Sequence, residues 1–237
     1  TVYAGEARTH WATMGFYTRI NWNYQNTYFL ELSGRYDGSS RFAPGHRWGF
    51  FPSFSAGYDI ARTKYFTDLN MPVSQFKVRV SYGRLGNQNG AGLYDYLGVM
   101  SLDPNNVNAW LLPGGGDVIG KGTISLTPKM ISPYITWEKV DTANFGLDLM
   151  LLKDRLSVTF DVYQRTTKDM IGPAEAIPAV SGIIPDDRAK INNATLRNRG
   201  WELSVNWQDK LKCGFSYGIG FNLFNYKAVI TKYNNPE

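Results

Sequence analysis

The sequence predicts an all-β fold, an antiparallel transmembrane β-barrel built from about eight long strands. Three observations predict it. Apolar and polar residues alternate with a period of two over segments of about ten residues. The connectors between these segments alternate between short and long, as periplasmic turns and extracellular loops of outer-membrane barrels do. The chain also joins 15% aromatic residues to a mean hydropathy of only −0.32, as two faces of opposite character would average.

The elements follow in order. Over residues 14–24 the even positions include Met14, Phe16, Ile20, Trp22 and Tyr24, and the odd ones Gly15, Arg19, Asn21 and Asn23. After Gln25-Asn26-Thr27, Tyr28, Leu30, Leu32 and Tyr36 oppose Glu31, Ser33, Arg35 and Asp37, which predicts two strands and a tight turn. Phe50, Phe54, Ala56, Tyr58 and Ile60 oppose Ser53, Ser55, Gly57 and Asp59 in a third strand, and Phe76, Val78, Val80 and Tyr82 oppose Lys77, Arg79, Ser81 and Gly83 in a fourth. After a long gap, Phe145, Leu147 and Leu149 oppose Asn144, Gly146 and Asp148. Past Lys153-Asp154-Arg155, Leu156, Val158, Phe160 and Val162 oppose Ser157, Thr159, Asp161 and Arg165. Trp201, Leu203, Val205 and Trp207 oppose Glu202, Ser204 and Asn206, and residues 215–223 close the series with Phe215, Tyr217, Ile219, Phe221 and Leu223 on one face.

Strands this long, with interior charges and glycines, fit a soluble sandwich poorly, because strands there usually run about 5 to 6 residues. The connectors span about residues 25–27, 38–47, 61–73, 86–136, 153–155, 172–198 and 208–213. If the short ones are periplasmic, the first strand runs inward and the chain leaves on the outside. Complete bacterial barrels normally begin and end in the periplasm, so Thr1 and Glu237 are expected to lie inside a larger barrel. Trp22, Tyr24, Tyr28 and Trp207 then belong to the periplasmic aromatic girdle, and Tyr36, Trp48, Tyr82 and Trp137 to the outer one. Any single ring fits the packed core of a β-sheet equally well; the joint pattern favours girdles.

Composition excludes other classes. No stretch approaches the roughly 20 apolar residues of a membrane-spanning helix, and 43% hydrophobic with 19% charged residues argues against disorder. A net charge of +5, spread with no cluster denser than Lys210 and Lys212, is not a nucleic-acid footprint. One cysteine, Cys213, and two histidines, His10 and His46, offer no metal set, and no cofactor is implied. There is neither a His-Glu-x-x-His motif nor a phosphate-binding loop, and with only two histidines a nucleophile facing a base has little support, so no enzyme is expected.

Particular strings carry a family resemblance. Asp37-Gly-Ser-Ser-Arg-Phe42, Arg47-Trp-Gly-Phe-Phe-Pro-Ser53 leading to Ser55-Ala-Gly-Tyr58, and Phe76-Lys-Val-Arg-Val-Ser-Tyr-Gly-Arg-Leu-Gly-Asn-Gln-Asn-Gly90 resemble the C-terminal barrel of the SusC/RagA family of TonB-dependent outer-membrane transporters. Trp137-Glu-Lys139, Asn144-Phe-Gly-Leu-Asp148 and Asn198-Arg-Gly-Trp-Glu-Leu203 extend it in the same order. The resemblance implies a 22-stranded barrel with an N-terminal plug, contact with TonB through that plug, and a SusD/RagB-like surface lipoprotein. Residues 1–237 would then be one segment of a single barrel domain, about eight of its strands, set in outer-membrane lipid and paired with the remainder of the barrel and its plug. The transported cargo would be an oligosaccharide or peptide. Two other classes fit the alternation: a passive eight-stranded barrel acting as adhesin or structural protein, and a soluble aromatic-rich carbohydrate-binding module.

Candidate site residues follow. Arg19, Glu31, Arg35, Lys77, Arg79, Asp148, Asp161 and Glu202 are expected to form a solvated ionic lining of the lumen against the plug. Tyr94 and Trp110, with neighbouring Asn and Gly residues, offer rings for an apolar ligand face, and Asn87, Gln88 and Asn89 offer amides for sugar hydroxyls or peptide backbones. The same residue types also make an ordinary loop entry. Asp37 is expected in a tight turn, accepting from backbone amides or pairing with Arg41, and Pro52 at a strand irregularity that re-aims the loop.

Overall fold

Alternation requires each segment to find a neighbour that puts like faces together. The computed structural model, which describes residues 8–67, 72–98, 110–112, 123–125, 130–175, 178 and 188–233, shows that arrangement. Eight strands form one antiparallel sheet: β1 (Thr13–Tyr24), β2 (Tyr28–Ser39), β3 (Trp48–Asp59), β4 (Val73–Asn87), β7 (Glu138–Leu151), β8 (Leu156–Pro173), β9 (Lys190–Lys210) and β10 (Ser216–Tyr233). Each pairs with its neighbour in the chain, so the sheet is a meander that pauses only between β4 and β7. There a two-stranded hairpin of β5 (Trp110–Leu112) and β6 (Thr123–Ser125) intervenes. A 3-10 turn (Ile60–Arg62) and one helical turn, α1 (Lys64–Thr67), link β3 to β4.

The first hairpin shows how local chemistry sets register. Gln25 and Asn26 both take positive φ, 51° and 49°, and the Thr27 amide donates to the Tyr24 carbonyl at 3.0 Å. That is a two-residue turn whose twist matches the flanking strands. The Asn23 side chain brackets it, accepting from the Asn26 amide at 3.1 Å and donating to Asn26 Oδ1 at 2.8 Å. Register then runs unbroken from Tyr24↔Tyr28 to Thr13↔Ser39, and no residue changes face.

The strands are 12 to 21 residues long, against the ten expected. The excess lies at the long-connector end. Residues 166–173, 190–200 and 224–233, outside the alternating segments, continue β8, β9 and β10, and the connector expected over 172–198 contracts to the residues between Pro173 and Lys190. Alternation needs one apolar surrounding. Beyond it charged and polar residues enter the outer face, and backbone pairing continues without a regular sequence signature.

Pro52 does not interrupt β3 against β2, where Gly34↔Pro52 lies within a continuous ladder. The ladder to β4 instead begins one residue later, at Ser53↔Gly83, so the missing amide coincides with the point where β3 and β4 part. Phe51 and Trp137 fill the opening. They pack with Phe42, Ala91 and Ile135 in a buried cluster, flanked by Ile171, and Phe51 and Trp137 meet edge to face at 5.4 Å. Ring atoms of Phe51 occupy the space that a side chain at Gly86 or Gly49 would take. Trp137 is 5% exposed and its indole donates to the Arg47 carbonyl at 2.8 Å, so it is a core residue and not the outer-girdle anchor expected. Its position just before β7, facing the gap left by β4 parting from β3, decides this. The other girdle rings are exposed or half-exposed, and some stack, Tyr36 on Trp48 at 4.9 Å and Tyr28 on Tyr58 of β3 at 5.0 Å.

Truncating a buried indole removes its contacts and leaves a void. Trp137→Ala is expected to destabilise the folded protein by about 3 to 5 kcal/mol and Trp137→Phe by about 1 kcal/mol, the latter for the lost hydrogen bond. Tyr36→Ala, on an exposed ring, should cost less than W137A. Thermal unfolding in detergent, followed by heat-modified gel mobility, ranks the three.

Candidate functional site

Register assigns each charged residue to a face. The chain of partners Arg19↔Ser33, Ser33↔Ser53, Ser53↔Gly83, Gly83↔Thr142, Thr142↔Arg165 and Arg165↔Asn198 runs across seven strands on one side. Arg19, Glu31, Arg35, Lys77, Arg79, Asp148, Asp161 and Glu202 all share the parity of that chain, so the sheet brings the eight to its polar face.

Their geometry is unequal. Arg79 on β4 makes a two-point contact with Asp148 on β7, Nε at 2.6 Å and Nη2 at 3.0 Å, and the same Nη2 reaches both oxygens of Asp161 on β8 at 3.3 Å. Asn144 donates to Asp161 at 2.9 Å. Reaching β8 from β4 means crossing β7, and the crossing is made at Gly146, where an added Cβ would sit 2.5 Å from Asp161 Oδ1 and 2.7 Å from Arg79 Nη2. The glycine is therefore the clearance through which one guanidinium ties three strands together. Lys77 lies with its ammonium 4.0 Å from the Phe29 ring centroid, over Gly57. Arg19 and Glu31 approach at 3.6 Å with both side chains largely in solvent, a pair of small energetic weight. Glu202 is exposed.

At the long-connector end the amide residues take different parts. Asn87 donates to Glu138 at 2.6 Å, and the other oxygen of Glu138 accepts the Ile171 amide at 2.9 Å. Glu138 is buried, and it joins the entry of the β4–β7 connector to β8. The Asn89 amide donates to Asn87 Oδ1, while Gln88 Oε1 is buried without a hydrogen-bond partner. Of the three, Asn87 is engaged structurally, Asn89 is exposed, and Gln88 carries an unused acceptor. Tyr94 is 42% exposed and its hydroxyl donates to the His10 carbonyl at 2.7 Å. Trp110 opens β5, paired with Ser125; its side chain, like residues 105, 106 and 108, lies outside the described residues.

Asp37 and Arg41 do not pair. Asp37 lies inside β2 and takes Arg35, two residues away on the same face, through bonds of 3.2 Å, whereas Arg41 has left the strand, donates to the Ala91 carbonyl and lies over the Trp11 ring at 5.0 Å. Strand periodicity, which puts residues i and i+2 side by side, overrides the turn chemistry of Asp-Gly here.

Sequence reasoning missed a second charged set. Asp141 accepts from Arg84 at 2.6 Å and from Lys168 at 2.9 Å, on the face opposite the Arg79 group. The available signal was Arg84 itself, a charge at an even position that continues the apolar series Val78, Val80, Tyr82. Among the described residues no group of acidic, histidine or cysteine side chains is arranged to hold a metal ion.

Comparison with known proteins bears on this arrangement. The sequence profile described as "TonB dependent receptor-like, beta-barrel" matches residues 2–237. The TonB-dependent receptor SusC of Bacteroides thetaiotaomicron is 29% identical over 219 residues, 92% of this chain and 21% of that protein. TonB-dependent receptor P39 of Formosa agariphila is 30% identical over 227 residues, 93% of this chain and 19% of that protein. The chain thus spans about a fifth of the length of these relatives. In the structure of the RagAB peptide transporter, a chain superposes with a TM-score of 0.77 at 26% identity, over 94% of this chain and 23% of that one. The relatives are receptors and transporters, not enzymes.

The half-buried Arg79 group and the exposed Arg19–Glu31 pair separate under mutation. Arg79→Gln is expected to lower stability by about 1 to 3 kcal/mol, since two carboxylates lose their shared cation, and Arg19→Gln by less than about 1 kcal/mol. Gly146→Ala should reproduce most of the R79Q loss, and combining the two should add little. Denaturation midpoints of the four proteins check this.

Proposed function

Because the chain belongs to the TonB-dependent receptor-like β-barrel family, whose SusC- and RagA-type members sit in the bacterial outer membrane, we propose that it forms eight adjacent strands of the barrel of an importer of oligosaccharides or peptides. Residues 1–237 are one segment of a single barrel domain. Import is driven by TonB acting on a plug inside the barrel, and a SusD/RagB-like surface lipoprotein covers the outer mouth.

One observation carries the reading. The sheet presents a continuous apolar face, with Phe16, Ile20, Phe50 and Ile219 each at least 60% exposed, while β1 and β10, its outermost strands, pair on one side only. Hydrocarbon does not tolerate open sheet edges, so further strands must pair with both. Relatives about five times longer supply the same sheet within a larger barrel. A passive eight-stranded barrel would instead need β1 paired with β10, and no such ladder is present among the described residues. A soluble module would need its apolar face covered.

In this reading the polar face lines the lumen, and the Arg79, Asp148 and Asp161 group stands where strands and plug meet. Tyr94, Trp110, Asn87, Gln88 and Asn89 belong to the mouth, on the side of the lipoprotein and cargo. Of the amides, Gln88 keeps a side-chain oxygen that has no hydrogen-bond partner among the described residues.

Orientation offers the sharpest test. Cys213 is exposed in the short connector between β9 and β10, which this reading places in the periplasm. In intact cells carrying the full-length receptor, a membrane-impermeant maleimide is expected to leave Cys213 unmodified and to modify it once the outer membrane is permeabilised, with Cys213→Ser as the control. Labelling in intact cells would overturn the orientation, and growth on every oligosaccharide and peptide source unchanged by deletion of the receptor would overturn the transport role.

A further inference from the structure

The apolar face changes character along its length. Two successive rows across β4 and β7–β10 are Val78, Leu147, Phe160, Leu203, Leu223 and then Val80, Phe145, Val162, Trp201, Asn225. The next row toward the long connectors is Tyr82, Ala143, Gln164, Arg199, Lys227, and the one after it Arg84, Asp141, Thr166, Arg197, Val229. Lys139 and Lys168 face each other one step further on. Six cations thus stand on this face, against Asp141 and Asp169.

Those two carboxylates are already taken. Asp141 binds Arg84 and Lys168, and Asp169 binds Lys139 at 2.9 Å. Arg199 donates through Nε to Gln164 at 2.6 Å, which leaves its other guanidinium donors free of any described acceptor. Arg197 and Lys227 make no ion pair with a described residue. The charge is also confined. On the same face of β1–β3, every position from Met14 to Tyr58 is uncharged, and the upper rows there are aromatic, with Phe16, Tyr36, Phe50 and Trp48. A barrel wall that needed only to meet lipid headgroups would carry the aromatic pattern all round.

Directly below the cations lies a shallow groove of about 730 Å³, floored by Val80, Phe145, Val162 and Trp201 and ending at Arg199 and Lys227. An apolar trough continuous with unpaired cations, separated from them by one row of about 6.6 Å, matches a molecule with an acyl chain and an anionic phosphate headgroup. Cations facing lipid without counter-charge are costly, and phosphate is the anion that this depth of a membrane offers. Resting on the orientation given above, we infer that the apolar face of β4 and β7–β10 is a binding site for a phosphorylated glycolipid of the outer leaflet. One acyl chain lies in the groove and the phosphates rest on Arg197, Arg199 and Lys227. The lumen, the plug and the cargo have no part in it.

The test uses the full-length receptor extracted from outer membranes in mild detergent and analysed by native mass spectrometry. The wild-type protein is expected to retain phosphorylated glycolipid. The triple variant R197Q/R199Q/K227Q is expected to lose at least about tenfold of it, whereas R197K/R199K/K227R keeps it and K210Q/K212Q, at the other end of the strands, changes nothing. Heat-modified gel mobility confirms that each variant is folded. Equal retention by the triple variant with Cys213 protected from outside would overturn the lipid site alone. A second protein chain on this face in place of lipid would overturn it too, and Cys213 labelled in intact cells would overturn the orientation and the site together.

Discussion

Backbone hydrogen bonding in a medium without water governs this structure. A strand in hydrocarbon has nowhere to send its N–H and C=O groups except to another strand, and everything else here is arranged to keep those ladders whole. The two-residue turn at Gln25 and Asn26 holds β1 and β2 in register. Pro52, which has no amide to give, is placed where the β3–β4 ladder stops. Where the two strands part, Phe51, Trp137 and Phe42 fill the space with rings that need no backbone partner.

The polar face answers the same constraint with side chains. Arg79 spans β4, β7 and β8 because Gly146 leaves room for it, and Glu138 joins the start of β7 to β4 and β8 through Asn87 and the Ile171 amide. These links lie between strands that are already paired, so they lock side chains across the ladder and add to its stability. Exposed pairs such as Arg19 and Glu31 do neither.

Eight strands were legible in the sequence because eight segments separate an apolar from a polar environment, and a period of two is the trace such a boundary leaves. The same logic explains what was not legible. Residues 166–173, 190–200 and 224–233 are strand but lie past the boundary, where Arg197, Arg199 and Lys227 replace apolar residues and the period vanishes. The resemblance to the SusC/RagA family rested on strings in the strands and at their ends, and stood. The pairing of Asp37 went to Arg35 and not Arg41 because the strand continues through Asp-Gly, and Trp137 turned inward because of a gap between two other strands. Both depend on where neighbouring strands diverge, which no local pattern encodes. The polar-face residues were found because parity alone places them; the outward-facing Arg84 and Asp141 were missed because parity marked their face as apolar.

The meander also determines the order in which the sheet can be assembled. Every strand but one finds its partner across a connector short enough to close at little entropic cost, so hairpins β1–β2, β7–β8 and β9–β10 are local events. The exception is β4 with β7, separated by about 50 residues. Closing that span costs about four doublings of length more than the three-residue connector between β1 and β2, or about 2.5 kcal/mol, before any ladder bond forms. The step that joins the two halves of the sheet therefore has the highest contact order, and until it is complete the edges of β4 and β7 remain open to pairing with the wrong strand. The Arg79 bridge, which ties β4 to β7 and β8, forms at that junction and at no other. It is thus the latch of the slowest association in the sheet.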